Sequence, residues 1–229
     1  ILVSLITGVL FASPAFAYQE LDSVDGGAVS GSVKISKSPP KATAKAVTKD
    51  HGACGQSQPD ETYVVGKDGG LANVVVFLDG IKQGKKIGQP KAEVDQQKCR
   101  FAPHVTAFPV GTHLTVKNSD AILHNTHTYL DGNTVFNFAL PMKGTKATKT
   151  IEEPGIIKYG CDVGHTWMNA WSYVTEHPYV VVTDQNGKFT LTDIPPGEYT
   201  VKTWHEAAGA RIAKVTITKG GTASIEIGY

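Results

Sequence analysis

The sequence predicts an all-β protein made of one or two sandwiches. Apolar residues recur at every second position in short runs such as VSGSVKIS, NVVVFLDG, HLTVKN, KFTLTDI and EYTVKTW. Gly, Pro, Asn and Asp punctuate those runs, and no stretch carries the spacing of an amphipathic helix. Short strands that bury one face against a second sheet satisfy all three observations.

Taken in order, residues 1–17 (ILVSLITGVLFASPAFA) are an apolar run interrupted by Pro14 and ending in the small-x-small triplet Ala15-Phe16-Ala17. This is the pattern of a secretory signal peptide cleaved before Tyr18, and the run is too short to span a bilayer. The missing initiator Met and basic segment point to a leader that starts upstream of Ile1. Export predicts a periplasmic or extracellular, oxidising location, where three cysteines resolve into one disulfide and one leftover thiol. No later run reads as a membrane helix. With 22 Lys+Arg against 21 Asp+Glu the net charge is +1, a balance that argues against a nucleic-acid partner. The basic run KQGKKIGQPK (82–91) reads as a solvated loop.

Beyond the leader, AVSGSVKIS has the pattern of a first strand. Residues 94–175 concentrate the chemistry, holding Cys99, Cys161, both methionines and five of the eight histidines. Residues 177–229 read as regular hairpins, with Asn186-Gly187 in DQNGKF as a turn between alternating strands. Within YGCDVGHTWMNAW (159–171), Cys161, His165 and Met168 are separated by three and then two intervening residues. Thiolate, imidazole and thioether are the ligands that select soft transition metals. A buried free cysteine among core histidines is the plain alternative, and it leaves that spacing unexplained. In TWHEAAG, His205 beside Glu206 could act as a base or a ligand, but with no nucleophile or second ligand adjacent it reads as a hydrogen-bonded structural pair. Pro103-His104 and His177-Pro178 read as strand-edge residues. No Ser-His-Asp order, phosphate loop or zinc-protease motif stands out, so no enzyme activity is expected.

Two segments, FPVGTHLTVKNSDAILHNTHTY (108–129) and EEPGIIKYGCDVGHTWMNAWSYV (152–174), together resemble the cupredoxins, the blue-copper β-sandwiches. The family's pattern is a strand ending in Asn-x-Asp, a His-Asn pair, a Pro-Gly turn, and Tyr-x-Cys followed by His and Met. The resemblance implies a Greek-key sandwich that binds copper through His124, Cys161 and His165, with Met168 as a weak axial ligand and Asn125 bracing the cysteine loop. His127, in HNTH, is a candidate additional ligand or a supporting surface residue. Cys-x3-His-x2-Met is also half of the binuclear copper centre of cytochrome oxidase subunit II, where a second Cys lies four residues earlier. Here that position is Ile157, which leaves a mononuclear site. With Cys161 kept as a ligand, Cys54 and Cys99 form the disulfide, one of three pairings open to three cysteines.

TDQNGKFTLTDIPPGEYTVKTW (183–204) resembles the prealbumin-like sandwich of carboxypeptidase regulatory-like domains. With CG ahead of ETYVVGKDGGLANVVVFLDG, then CRFAPHV, LHNTHTY, CDVGHTWM, HPYVVVTD and TWHE, nearly the whole chain beyond the leader resembles exported bacterial proteins that fuse the two parts. The expected division is 1–17 signal peptide, 28–175 cupredoxin-like domain and 176–229 carboxypeptidase-regulatory-like domain. If AVSGSVKIS is shared with the second sandwich, the Cys/His-rich region is an insertion in it. The expected function is an exported copper protein carrying one electron to a redox partner protein. A copper-delivery protein and a β-sandwich interaction module are the alternatives.

Overall fold

The structure, a computed structural model, describes residues 18–36, 39 and 41–229. The expected signal peptide lies outside them. The chain folds as an all-β protein with two stacked-sheet cores, and the alternation read from the sequence is the alternation of burial. In Thr112–Asn118 the residues Thr112, Leu114, Val116 and Asn118 are buried and those between them are not.

The first sandwich carries the Cys/His-rich region. Its four-stranded sheet runs Lys146–Ile151, Thr112–Asn118, Lys91–Gln97, Arg100–Ala102. Its five-stranded sheet runs Asn133–Leu140, His124–Leu130, Gly155–Gly160, Asn169–Thr175, Val105–Pro109. Leu114, Val116, Leu140, Ile157 and Tyr159 fill the space between the sheets.

The second sandwich begins before the first. Gly27–Lys34 pairs with Lys188–Ile194 on one side and with Thr222–Gly228 on the other. Val75–Asp79 pairs with Val180–Val182 and with Gly197–His205, which forms a hairpin with Gly209–Ile217. Strands before and after the Cys/His region therefore share sheets, and that region is inserted between them. Of the two arrangements the sequence leaves open, this is the one in which AVSGSVKIS is shared with the second sandwich: the strand Gly27–Lys34 and the run NVVVFLDG both pair there. Local periodicity marks which residues face inward but not which sheet a strand joins.

Why NVVVFLDG is apolar without alternation follows from its position. Val76 and Leu78 point into the second core, while Val75 and Phe77 face the first sandwich beside Val105, Tyr173 and Trp204. The Phe77 and Tyr173 ring centroids lie 4.9 Å apart. A strand covered on both faces loses the polar half of its pattern.

The DQNGKF turn also differs from expectation, because Val180–Val182 and Lys188–Ile194 belong to different sheets. The turn is a corner between sheets and not the tip of a hairpin. Gly187, at φ 72°, donates its N–H to Asp184 and accepts from the Val33 N–H at 2.8 Å, so close that a Cβ would collide with the Val33 carbonyl.

Candidate metal centre

The loop 161–168 closes a strand pair in which Gly160 lies directly opposite Asn169. Gly160 is also opposite His127, on the strand that starts at His124. These two registers bring the start of one strand beside the loop that follows the other, which is how residues 37 apart in sequence meet. Asn118 shapes the approach to His124: its buried side chain donates to the Ile122 and Leu140 carbonyls and accepts the Asp120 N–H.

His124, Cys161 and His165 converge. His124 and His165 are fully buried and Cys161 is 6% exposed. The two Nδ1 atoms lie 2.9 Å apart, and Cys161 Sγ lies 3.8 Å from His124 Nδ1 and 3.6 Å from His165 Nδ1. The point equidistant from these three atoms is about 2.0 Å from each, inside the ~2.0–2.3 Å range of imidazole and thiolate bonds to a first-row metal.

Each imidazole is held from behind. His124 Nε2–H donates to Asp120 Oδ2 at 3.0 Å, and His165 Nε2–H donates to Asp50 Oδ2 at 2.7 Å. Both Nε2 atoms being donors, both Nδ1 atoms present lone pairs toward Cys161. Three electron-rich atoms aimed at one point repel unless a cation or proton stands among them. The donor set therefore fits a soft or borderline metal ion.

Burial lowers the His124 pKa, with the Asp120 hydrogen bond opposing it. Burial also raises the Cys161 pKa, against the backbone N–H groups of Asn125 and Val163 that point at its sulfur. The hydrogen bond from His165 lowers that of Asp50. Burial thus favours a neutral His124 and a neutral Cys161 beside a charged Asp50, and a bound cation would have to displace the thiol proton.

Asn125 clamps the cysteine loop. Its Oδ1 accepts the Asp162 N–H at 2.5 Å, and its Nδ2 donates to Asn137 Oδ1 at 2.8 Å. Met168 is buried, donates its N–H to the His165 carbonyl at 2.9 Å, and lines the same surface groove as Cys161.

His127 is not brought into the cluster. Its Nδ1 faces Asp162 Oδ2 at 2.6 Å and its Nε2 faces Thr134 Oγ1 at 2.8 Å. The strand period of two puts a residue three positions after His124 on the opposite face, a signal that was present in the sequence. His104 and His177 flank strand ends, and both are buried. Nor do His205 and Glu206 pair with each other: Glu206 binds His104 and accepts from Trp171 Nε1 at 2.9 Å, while His205 Nδ1 accepts the Ala207 and Ala208 N–H groups. Burial alone would raise the Glu206 pKa, but the His104 hydrogen bond and charge outweigh it and lower it.

The disulfide joins Cys54 and Cys99, and Cys161 is free and buried. Sequence reasoning missed Asp50, which lies 115 residues from His165 and carries no motif. Asp120, the last residue of the Asn-x-Asp pattern, was given no role there, although it supports His124.

Residues 147–225 match the family model described as polysaccharide lyase family 4, domain II. No curated protein matches the chain. Among solved structures it is similar to a purple cupredoxin from Nitrosopumilus maritimus, with 26% identity, 37% of this chain and 99% of that chain covered, and a TM-score of 0.32. It is also similar to a Cu-containing nitrite reductase from Thermus scotoductus, with 24% identity, 42% and 26% coverage, and a TM-score of 0.33. Amicyanin from Paracoccus versutus has 17% identity, 37% and 80% coverage, and a TM-score of 0.33.

Proposed function

We propose that this protein is an exported mononuclear copper protein that carries one electron at a time between partner proteins. His124, Cys161 and His165 hold the metal through two Nδ1 atoms and a thiolate, and Met168 is the weak axial ligand. The observation that carries the reading is the convergence of three buried donor atoms on one point about 2.0 Å from each. Bound copper supplies one-electron chemistry, because two imidazoles, a thiolate and a distant thioether suit both Cu(I) and Cu(II). The chain's own part is to hold that geometry: Asp120 and Asp50 orient the imidazoles, Asn125 braces the loop, and the burial of all three donors excludes water. The Cys54–Cys99 disulfide agrees with an oxidising, periplasmic or extracellular location. Among the described residues no helix is long and apolar enough to cross a membrane.

A copper-delivery reading that uses His127 as a transfer ligand is disfavoured, since both its ring nitrogens are engaged elsewhere. Copper titration followed by visible spectroscopy is the test. The expected result is one equivalent of copper and an intense thiolate-to-copper absorption. A colourless protein whose Cys161 is demonstrably a free thiol would end the electron-carrier reading in favour of an interaction module.

A further inference from the structure

We infer that the Cys54–Cys99 disulfide is a positioning element of the metal centre: it ties together the two carboxylates, Asp50 and Asp120, that orient His165 and His124. The inference rests on the copper reading for its purpose but on the chain's own contacts for its geometry.

Residues 45–58 form a strap across the metal loop. Lys45–Ala46 pairs with Ser57–Gln58, and the one-turn helix His51–Cys54 lies between them. Asp50, left-handed at φ 55°, ψ 40°, caps that helix. Its carbonyl accepts the Ala53 and Cys54 N–H groups at 2.9 Å, while its carboxylate holds His165. Asp50 is thus coupled rigidly to Cys54, four residues away.

The other half of the disulfide is coupled to the other histidine. Lys98 and Cys99 make a left-handed turn, with φ 53° and 55°. Their N–H groups donate to the Asp120 carboxylate at 2.7 and 2.8 Å, and the same carboxylate accepts from His124. A continuous chain therefore runs from His165 through Asp50, Cys54, Cys99 and Asp120 to His124. The donor atoms of Cys99, Asp120 and His124 lie within 4.8 Å of one another, so the bridge touches the ligand support directly.

What else fastens the strap decides whether the disulfide matters. Lys45 Nζ donates to Asn169 Oδ1 and Lys49 Nζ donates to the Val163 carbonyl, each at 2.7 Å. These lysine contacts, one part-buried and one exposed, compete with water and hold weakly. Val47 is buried in the metal-site core, but it is one side chain. The covalent link dominates. Without it the Asp50 carboxylate is free to leave His165, whose ring then loses its single tautomer and its fixed orientation.

The test compares wild type, Cys54→Ala/Cys99→Ala and Asp50→Ala, first without metal. The double substitution is used instead of a reductant because reduction would place a new thiol beside Asp120 and His124. Histidine-ring 1H–15N correlation spectra should report one Nε2–H tautomer for His165 in wild type and a mixture in both variants. Cys161 should react with an aromatic disulfide reagent at least about 10-fold faster in the double variant. With copper added, both variants should bind about 10–100-fold more weakly, the usual effect of losing a residue that orients a ligand. Asp50→Asn, which keeps an acceptor oxygen, should recover most of that loss. A folded double variant with wild-type ring signals and wild-type thiol reactivity would overturn the inference, whatever its copper affinity. If the double variant does not fold, unchanged His165 signals in Asp50→Ala overturn it instead. Should wild type take up no copper, the metal-free measurements still decide the tie between strap and ring, while the copper reading falls alone.

Discussion

Acidification should strip stability from this protein through His177, at the junction of the two sandwiches. Its ring is 7% exposed and packs between Tyr18 and Tyr179, and its Nδ1 accepts the Tyr179 N–H at 3.3 Å. Burial depresses its pKa from 6.5 to about 4, with the Leu78 carbonyl partly opposing the effect. Above pH 6.5 the imidazole is neutral in folded and unfolded chains alike. Below that the unfolded chain takes up a proton that the folded one refuses, so stability present at neutral pH is lost as pH falls toward 4. The full difference corresponds to about 3 kcal/mol, of which about 2.5 kcal/mol is gone by pH 4.5. That is a large share of the roughly 5–15 kcal/mol that holds a typical domain. Urea unfolding of wild type and His177→Gln from pH 7.5 to 4.5 isolates this group, because all others titrate in both proteins. Whatever the substitution costs at neutral pH, the wild-type advantage should shrink by about 2.5 kcal/mol across the range. Parallel pH profiles would refute the reasoning and mean that the folded state admits the proton.

Cys161→Ser should abolish the visible band and His124→Ala should abolish or strongly alter it, whereas His127→Ala should leave it unshifted because that ring is held by Asp162 and Thr134. Met168→Leu should keep copper and raise the potential, as a weak axial thioether mainly tunes the centre; complete loss of copper would make Met168 a principal ligand. Glu206→Ala leaves His104 and the Trp171 N–H without their partner and should cost about 3 kcal/mol in urea unfolding; a change under about 1 kcal/mol would deny the pair a role between the sandwiches. Removing the disulfide, whose cysteines are 45 residues apart, should cost about 4 kcal/mol by loop-closure entropy, read as a fall in Tm.

By itself the sequence determined what is local. Period-two runs specify strands and their buried faces, since successive side chains point to opposite sides of a sheet. Cys161, His165 and Met168 share one loop, so their chemistry was legible from spacing, and the cupredoxin-like motifs added His124 and Asn125. Even the turning of His127 away from the His124–Cys161–His165 cluster was written in strand parity. Only the tertiary structure decided the rest. Val75–Asp79 could have joined either sandwich, because an apolar run states that both faces are covered and not by what. Asp50 meets His165 across 115 residues, and Glu206 meets His104 across 102, with no pattern linking either pair. Such contacts depend on how whole sheets stack and on where a disulfide fastens a strap. A hydrogen bond between distant residues leaves no period in the chain, so the supports of the candidate metal site became visible only once the fold had brought them together.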